Sequence, residues 1–166
     1  MSYEYSEDNL VEAAAQQALE DLGWQVEYAW TKETFGDDGL LGREDKSEVI
    51  LKRYLLQALK QLNPNLPNVA YQHAIDQISE KAADKKLVQI NKEKCTLLTK
   101  GVDVSFTNDK GELVKKKLKV FDFENPTKNN FLAVRQLEVV GDLYNRRPDI
   151  VGFVNGIPLV FIELKA

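Results

Sequence analysis

An α/β fold is predicted for this 166-residue chain from three observations. The first half carries apolar residues at helical spacing, the second half carries strand-like apolar runs, and the last two of those runs flank Asn155-Gly156. That dipeptide readily takes φ > 0 at both central positions of a type I′ turn, the commonest short link between antiparallel strands. Pairing across such a turn folds Asp149, where one strand begins, back towards Glu163, where the other ends. Residues two apart share a face of a strand, so Glu163 and Lys165 point together while Leu164 points the other way into apolar packing.

Taken in order, Ser6 is the expected N-cap of a first helix. Residues 8–22 place Leu10, Val11, Ala14, Ala18, Leu19 and Leu22 at helical spacing, and Gly23 suits the position just past its end. Trp24 to Trp30 alternates apolar and polar residues, which predicts an extended segment lying against the sheet. The pattern weakens from Thr31 to Arg43, where Gly36 and Gly39 frame a turn. Helical spacing then resumes from Ser47 to Leu62 through Val49, Ile50, Leu51, Leu55, Leu56 and Leu59. Pro64 and Pro67 break it, and a third helix runs from Asn68 to about Ala83 through Val69, Ala70, His73, Ala74 and Ile78. Residues from about 37 to 95 read as a helical insertion. A strand-rich part follows from about 101 to 166. It contains a hairpin made of Gly101 to Phe106, a turn at Asn108 to Gly111, and a strand to Phe121. After a polar loop, a strand-like run extends from Phe131 to Val140, and a loop leads into Arg146-Arg147-Pro148.

Composition narrows the chemistry. With 43% hydrophobic and 29% charged residues the chain can bury a real core as one domain. Its apolar stretches are strand-length and its start is acidic, without a signal peptide's basic head, so a soluble intracellular protein is expected. One cysteine, Cys95, excludes an internal disulfide and a cysteine-based zinc site. One histidine, His73, argues against a Cys/His or His-pair centre. Both are read as structural, as are Trp24 and Trp30. A net charge of −4 counts against a free-standing nucleic-acid binder. The count is a small one, because an acidic metal site lowers the net charge and partner subunits can lend DNA affinity. Lys115-Lys116-Lys117 reads as a charged strand edge protected from aggregation.

What remains is carboxylate and lysine chemistry at the last hairpin. A hard cation such as Mg²⁺ takes oxygen ligands, usually one or two carboxylates with water and substrate phosphate completing the shell. Asp149 and Glu163 suit that need, and Leu164 can add its backbone carbonyl. A metal there would polarise a phosphate and activate a bound water, while the Lys165 ammonium orients the nucleophile or stabilises developing charge. The bland alternative is that a carboxylate and a lysine closing a hairpin are solvated strand ends or a surface ion pair.

Pro148-Asp149, a short gap and Glu163-Leu164-Lys165 match the motif of the PD-(D/E)xK nuclease superfamily. Further matches are Gly42-Arg43, Glu48 to Leu51, Leu62-Asn63-Pro64, Phe121 to Pro126, Asn130 to Val134 and Asn145 to Val151. With these, nearly the whole chain resembles the N-terminal endonuclease domain of the restriction (R) subunit of type I restriction-modification enzymes. The resemblance implies a restriction-endonuclease-like core, a mixed sheet flanked by helices, over residues 1–166, truncated just after the motif. The helix and strand that normally follow would be missing, and the last strand is expected to pack incompletely. The implied activity is Mg²⁺-dependent hydrolysis of double-stranded DNA, with Asp149 and Glu163 as metal ligands and Lys165 as catalytic lysine. The family's glutamate at the start of the first helix falls on Glu7, with Glu12 as the second candidate. Arg146 and Arg147 are candidates for DNA phosphate. The implied partners are modification (M) and specificity (S) subunits and ATP-driven motor domains of the same polypeptide, in the cytoplasm of a prokaryotic cell. ATP serves that motor, and this stretch alone is expected to be inactive. Two rivals remain, a non-catalytic docking module of the same complex and another PD-(D/E)xK nuclease acting in repair or recombination.

Overall fold

The computed structural model describes residues 7–80, 85–141 and 144–165, and the side chains of residues 7–10 lie outside that description. The expected cap at Ser6, the end of the third helix near Ala83 and the side chain of Glu7 therefore fall outside the described residues. In chain order the elements are α1 (Glu7–Asp21), β1 (Gln25–Tyr28), α2 (Lys52–Leu62), α3 (Asn68–Ser79) and α4 (Leu87–Lys100). Strands β2 (Val102–Thr107), β3 (Leu113–Leu118), β4 (Phe131–Arg135), β5 (Val139–Val140), β6 (Asn145–Arg146), β7 (Ile150–Val154) and β8 (Ile157–Ile162) follow, with a short 3-10 turn at Pro126–Lys128. The chain divides into two compact units, one made of Met1–Arg53 with Asn130–Ala166 and the other of Tyr54–Asn129. Among the described residues no helix is long and apolar enough to cross a membrane.

The first unit is built on a mixed four-stranded sheet in the order β1-β4-β7-β8. β1 runs parallel to β4, whereas β4 with β7 and β7 with β8 are antiparallel. Ile150, Val151 and Phe153 of β7 and Leu132, Ala133 and Val134 of β4 are buried, as expected of central strands covered on both faces. The chain leaves α1 through Gly23, whose φ of 86° reverses it into β1. Trp24 then packs against the sheet, its ring 5.2 Å from that of Phe131. Gly152 makes room for it, since a Cβ there would sit 3.0 Å from the indole. The sheet-packing role expected of Trp24 is the one it has.

The β7–β8 link is the predicted two-residue turn, with φ of 51° at Asn155 and 79° at Gly156. Asn155 is fully buried for a second reason. Its side-chain oxygen accepts the Asn130 N–H at 2.7 Å while its own N–H donates to the Asn130 carbonyl at 2.9 Å, which pins the entry to β4. On β8, Leu159, Val160 and Phe161 are exposed.

Arg43 organises the connection between β1 and α2. Its guanidinium is wholly buried, grips Glu33 at 2.6 and 2.7 Å, and donates to the carbonyls of Glu48 and Glu138 at 3.1 and 3.0 Å. The helix expected from Ser47 begins only at Lys52. The Leu51 N–H is instead directed to the Gly156 carbonyl at 2.8 Å, which takes it from the Ser47 carbonyl that a helix starting at Ser47 would use, and its side chain is buried.

The second unit contains most of α2, then α3, α4 and the antiparallel β2–β3 hairpin. Leu55, Ala58 and Leu59 of α2, Ala70, Tyr71, Ala74, Ile75 and Ile78 of α3, and Val102, Val104 and Leu118 of the hairpin are buried. The buried stripe of α3 thus includes Tyr71 and Ile75 and leaves His73 and Val69 exposed, which corrects the expected face. α4 buries no side chain completely, and Cys95 on it is exposed. Lys94 reaches back to the Gln77 and Ile78 carbonyls at 2.8 and 2.9 Å, satisfying the end of α3. Lys115, Lys116 and Lys117 are exposed on β3, and Lys117 pairs with Asp103 at 2.8 Å.

Candidate active site

The candidate residues meet where β4 ends and β7 begins. Ile150 pairs with Ile162, whereas Val154 pairs with Ile157, so the register changes by one residue between Gly152 and Phe153. Leu159 is the extra residue of this bulge. Without it Asp149 would oppose Ile162, and Glu163 would point to the other face. With it the continued register sets Asp149 opposite Glu163. Bulges commonly re-aim side chains beside active sites in this way.

Three contacts fix Asp149. One carboxylate oxygen accepts the Leu164 N–H at 2.7 Å, the other accepts the Gln136 side-chain amide at 3.1 Å, and the Asp149 carbonyl accepts the Gln136 N–H at 2.9 Å. The same Gln136 amide donates to Glu12 at 2.8 Å. Arg135 completes the network, donating to Glu12 and to Gln16 at 2.6 Å each. Glu12 and Gln16 are four apart on α1 and therefore share its face. Gln136 holds a left-handed φ of 54°, a conformation that costs a non-glycine residue about 1–3 kcal/mol.

These groups line an open cleft of about 1010 Å³, which Glu12, Gln136, Asp149, Glu163 and Leu164 share with Arg135, Trp30, Lys32 and Arg147. Glu12 is paired with Arg135, while Asp149 and Glu163 form no ion pair with any described residue. Among the described residues no three acidic, histidine or cysteine side chains are gathered as a ready-made metal cage. On the cleft rim the Arg147 guanidinium lies 3.7 Å from the centre of the half-exposed Trp30 ring. Arg146 lies over Tyr144 at 5.2 Å and does not line the cleft. Lys165 is exposed just beyond β8 and does not line it either.

The structure therefore brings Asp149, Glu163, Leu164 and Arg147 to one cleft and leaves Arg146 and Lys165 outside its lining. Of the two helix glutamates, Glu12 reaches the cleft, and the Glu7 side chain is outside the described residues. Gln136, Arg135 and Trp30 were not singled out as site residues from the sequence. The Glu12/Gln16 spacing was the only local signal pointing to this network. Position 136 carried none, because a left-handed glutamine leaves no pattern in a strand-like run.

A mixed sheet with a cleft carrying acids and bases where β4 ends and β7 begins defines an α/β domain. Residues 4–166 match the family described as the type I restriction enzyme R protein N terminus, and the chain belongs to that family. It is 38% identical over 162 residues to the type I restriction enzyme HindI endonuclease subunit of Haemophilus influenzae, covering 95% of this chain and 15% of that relative. Two relatives come from Methanocaldococcus jannaschii. The MjaIXP endonuclease subunit is 32% identical over 97% of this chain and 15% of its own length. The MjaVIIIP endonuclease subunit is 32% identical over 89% of this chain and 13% of its own length. The chain thus spans about 15% of the length of the first two.

Proposed function

We propose that this chain is the Mg²⁺-dependent endonuclease part of a type I restriction enzyme R subunit, with a restriction-endonuclease-like PD-(D/E)xK core. It would hydrolyse phosphodiester bonds of foreign double-stranded DNA within a complex of M and S subunits in a prokaryotic cytoplasm. ATP would be consumed by motor domains elsewhere in the same polypeptide. The observation that carries this reading is the opposition of Asp149 and Glu163 across the bulged β7–β8 pair, in one cleft and with neither acid in an ion pair with a described residue.

The donor set fits a hard cation. Asp149, Glu163 and the Leu164 carbonyl are all oxygen donors, and Mg²⁺ is commonly held by one or two carboxylates together with water and phosphate. When bound, the metal supplies charge that polarises the scissile phosphate and lowers the pKa of a water. The chain's own residues do the rest. The Leu164 N–H and the Gln136 amide fix both Asp149 oxygens, which keep lone pairs to spare, since a carboxylate offers about four acceptor sites. Lys165, exposed two residues from Glu163 and outside the cleft lining, would have to turn its ammonium inward to steady the attacking water. Arg147, spread on Trp30, contacts a DNA phosphate at the rim, and Arg146 beside it is a weaker candidate because it lies off the cleft. Of the two helix glutamates, Glu12 is the one with a described side chain, and it lines the cleft.

The test is a Mn²⁺ titration of the purified protein followed by calorimetry. Wild type should bind the ion, and Glu163→Gln should weaken binding by an order of magnitude or more. Equal affinity in the two proteins would defeat the assignment and favour a non-catalytic docking role.

A further inference from the structure

Gln136 combines three properties that an ordinary strand-end residue does not need. Its backbone is left-handed, with φ of 54°. Its N–H prolongs the β4–β7 pairing by one bond to the Asp149 carbonyl at 2.9 Å. Its side-chain nitrogen donates to Glu12 at 2.8 Å and to Asp149 at 3.1 Å at the same time.

Glycine takes left-handed backbone without a steric penalty, and asparagine does so more readily than most other residues. A turn alone would thus be served better by either. Glutamine tolerates the strain here while its amide spans two carboxylates. An NH₂ group has two protons, so both contacts are satisfied at once. The bridge is neutral. A lysine or arginine in its place would hold the two acids together but would cancel the charge that attracts a cation. The arginine that is present, Arg135, bonds to Glu12 and Gln16 and forms no ion pair with Asp149.

We infer that Gln136 is a positioning residue for the metal site. It holds Asp149 and Glu12 at a fixed separation without neutralising Asp149, and so preorganises an anionic cleft for a divalent cation. Its backbone strain is the cost of that role, as expected where strain gathers at functional sites. The inference rests on the proposed metal-dependent reading of the same cleft.

Gln136→Gly separates the two contributions of the residue, because it relieves the strain and removes the amide. The full-length protein carrying this change is compared with wild type and with Asp149→Asn. Two readouts are taken, thermal unfolding without metal and Mn²⁺ affinity by calorimetry. Loss of a partner that orients a metal ligand typically lowers metal affinity about 10–100-fold. The expected result is a melting temperature equal to or above that of wild type, with Mn²⁺ affinity lower by that factor. Gln136→Asn, whose shorter amide suits the backbone but does not span both carboxylates, should behave alike and covers the case in which glycine loosens the turn. Wild-type Mn²⁺ affinity in both variants, with affinity lost in Asp149→Asn, would overturn the role of Gln136 and leave the metal site standing. Absence of Mn²⁺ binding in wild type would overturn both.

Discussion

The Leu164 N–H donates to the Asp149 carboxylate at 2.7 Å, so the residue between Glu163 and Lys165 is tied directly to the acid at the start of the preceding strand. This bond sets the approach of the two motif segments after regular pairing has ended at Ile162. Asp149→Asn presents either a weaker acceptor or an amide that cannot accept. It should loosen residues 163–165 while the β7–β8 turn stays formed. Hydrogen exchange at the Leu164 amide is predicted to quicken while that at Ile157 is unchanged.

Arg43 and Glu33 form a buried ion pair, with side-chain exposures of 0% and 7%. Removing one partner of such a pair leaves an uncompensated charge and typically costs about 3–5 kcal/mol. Glu33→Ala is predicted to lower the unfolding free energy by roughly that amount in denaturant melts, far more than loss of the exposed Lys85–Glu93 pair would, because exposed pairs are worth about 0–1 kcal/mol.

Arg147 and Trp30 should act as a unit on DNA. Arg147→Ala is predicted to weaken binding about equally across sequences and to reduce the slope of log affinity against log salt by about one. Trp30→Ala removes the surface on which the guanidinium lies and should give part of the same loss. Filter or fluorescence binding across a salt series reads both.

Asp122 accepts the Asn125 and Glu124 N–H groups at 3.0 and 3.1 Å. The Asn125 backbone bond, helped by the nearby Lys119 charge, holds its pKa below the ordinary 3.8 in spite of burial. A carboxylate whose pKa is lower in the folded state stabilises the fold above its unfolded value and loses that contribution as pH falls through the folded value. The stability advantage of wild type over Asp122→Asn should therefore be constant from neutral pH down to about pH 4 and shrink below the ordinary 3.8. An advantage that changes between pH 5 and 7 would contradict this.

The hairpin around Asn155-Gly156 was legible because its turn chemistry is local, and so was the meeting of Asp149 with Glu163. The bulge at Leu159 that makes their opposition possible was not, since an extra residue in a strand is defined only against its partner. The run from Phe131 to Val140 reads as one strand yet is β4, a left-handed Gln136 and the two-residue β5, which pairs with Asn145–Arg146 in what reads as a loop. The polar pair Arg135-Gln136 falls at that break, but side-chain hydrophobicity does not reveal the left-handed turn of Gln136. α4 was not among the expected helices, and it buries no residue completely. The parallel pairing of β1 with β4 joins residues more than a hundred positions apart, beyond any local pattern.

The central claim is that the Asp149 and Glu163 end of the sheet cuts DNA. The most direct measurement is cleavage of unmodified plasmid by the full-length R subunit assembled with its M and S subunits, in Mg²⁺ and ATP, comparing wild type with Asp149→Ala. ATP hydrolysis serves as the control for assembly. The account predicts that Asp149→Ala loses cleavage by about 10²-fold or more, the scale expected when a group stabilising the transition state is removed, while ATP hydrolysis persists. Undiminished cleavage by Asp149→Ala would contradict it.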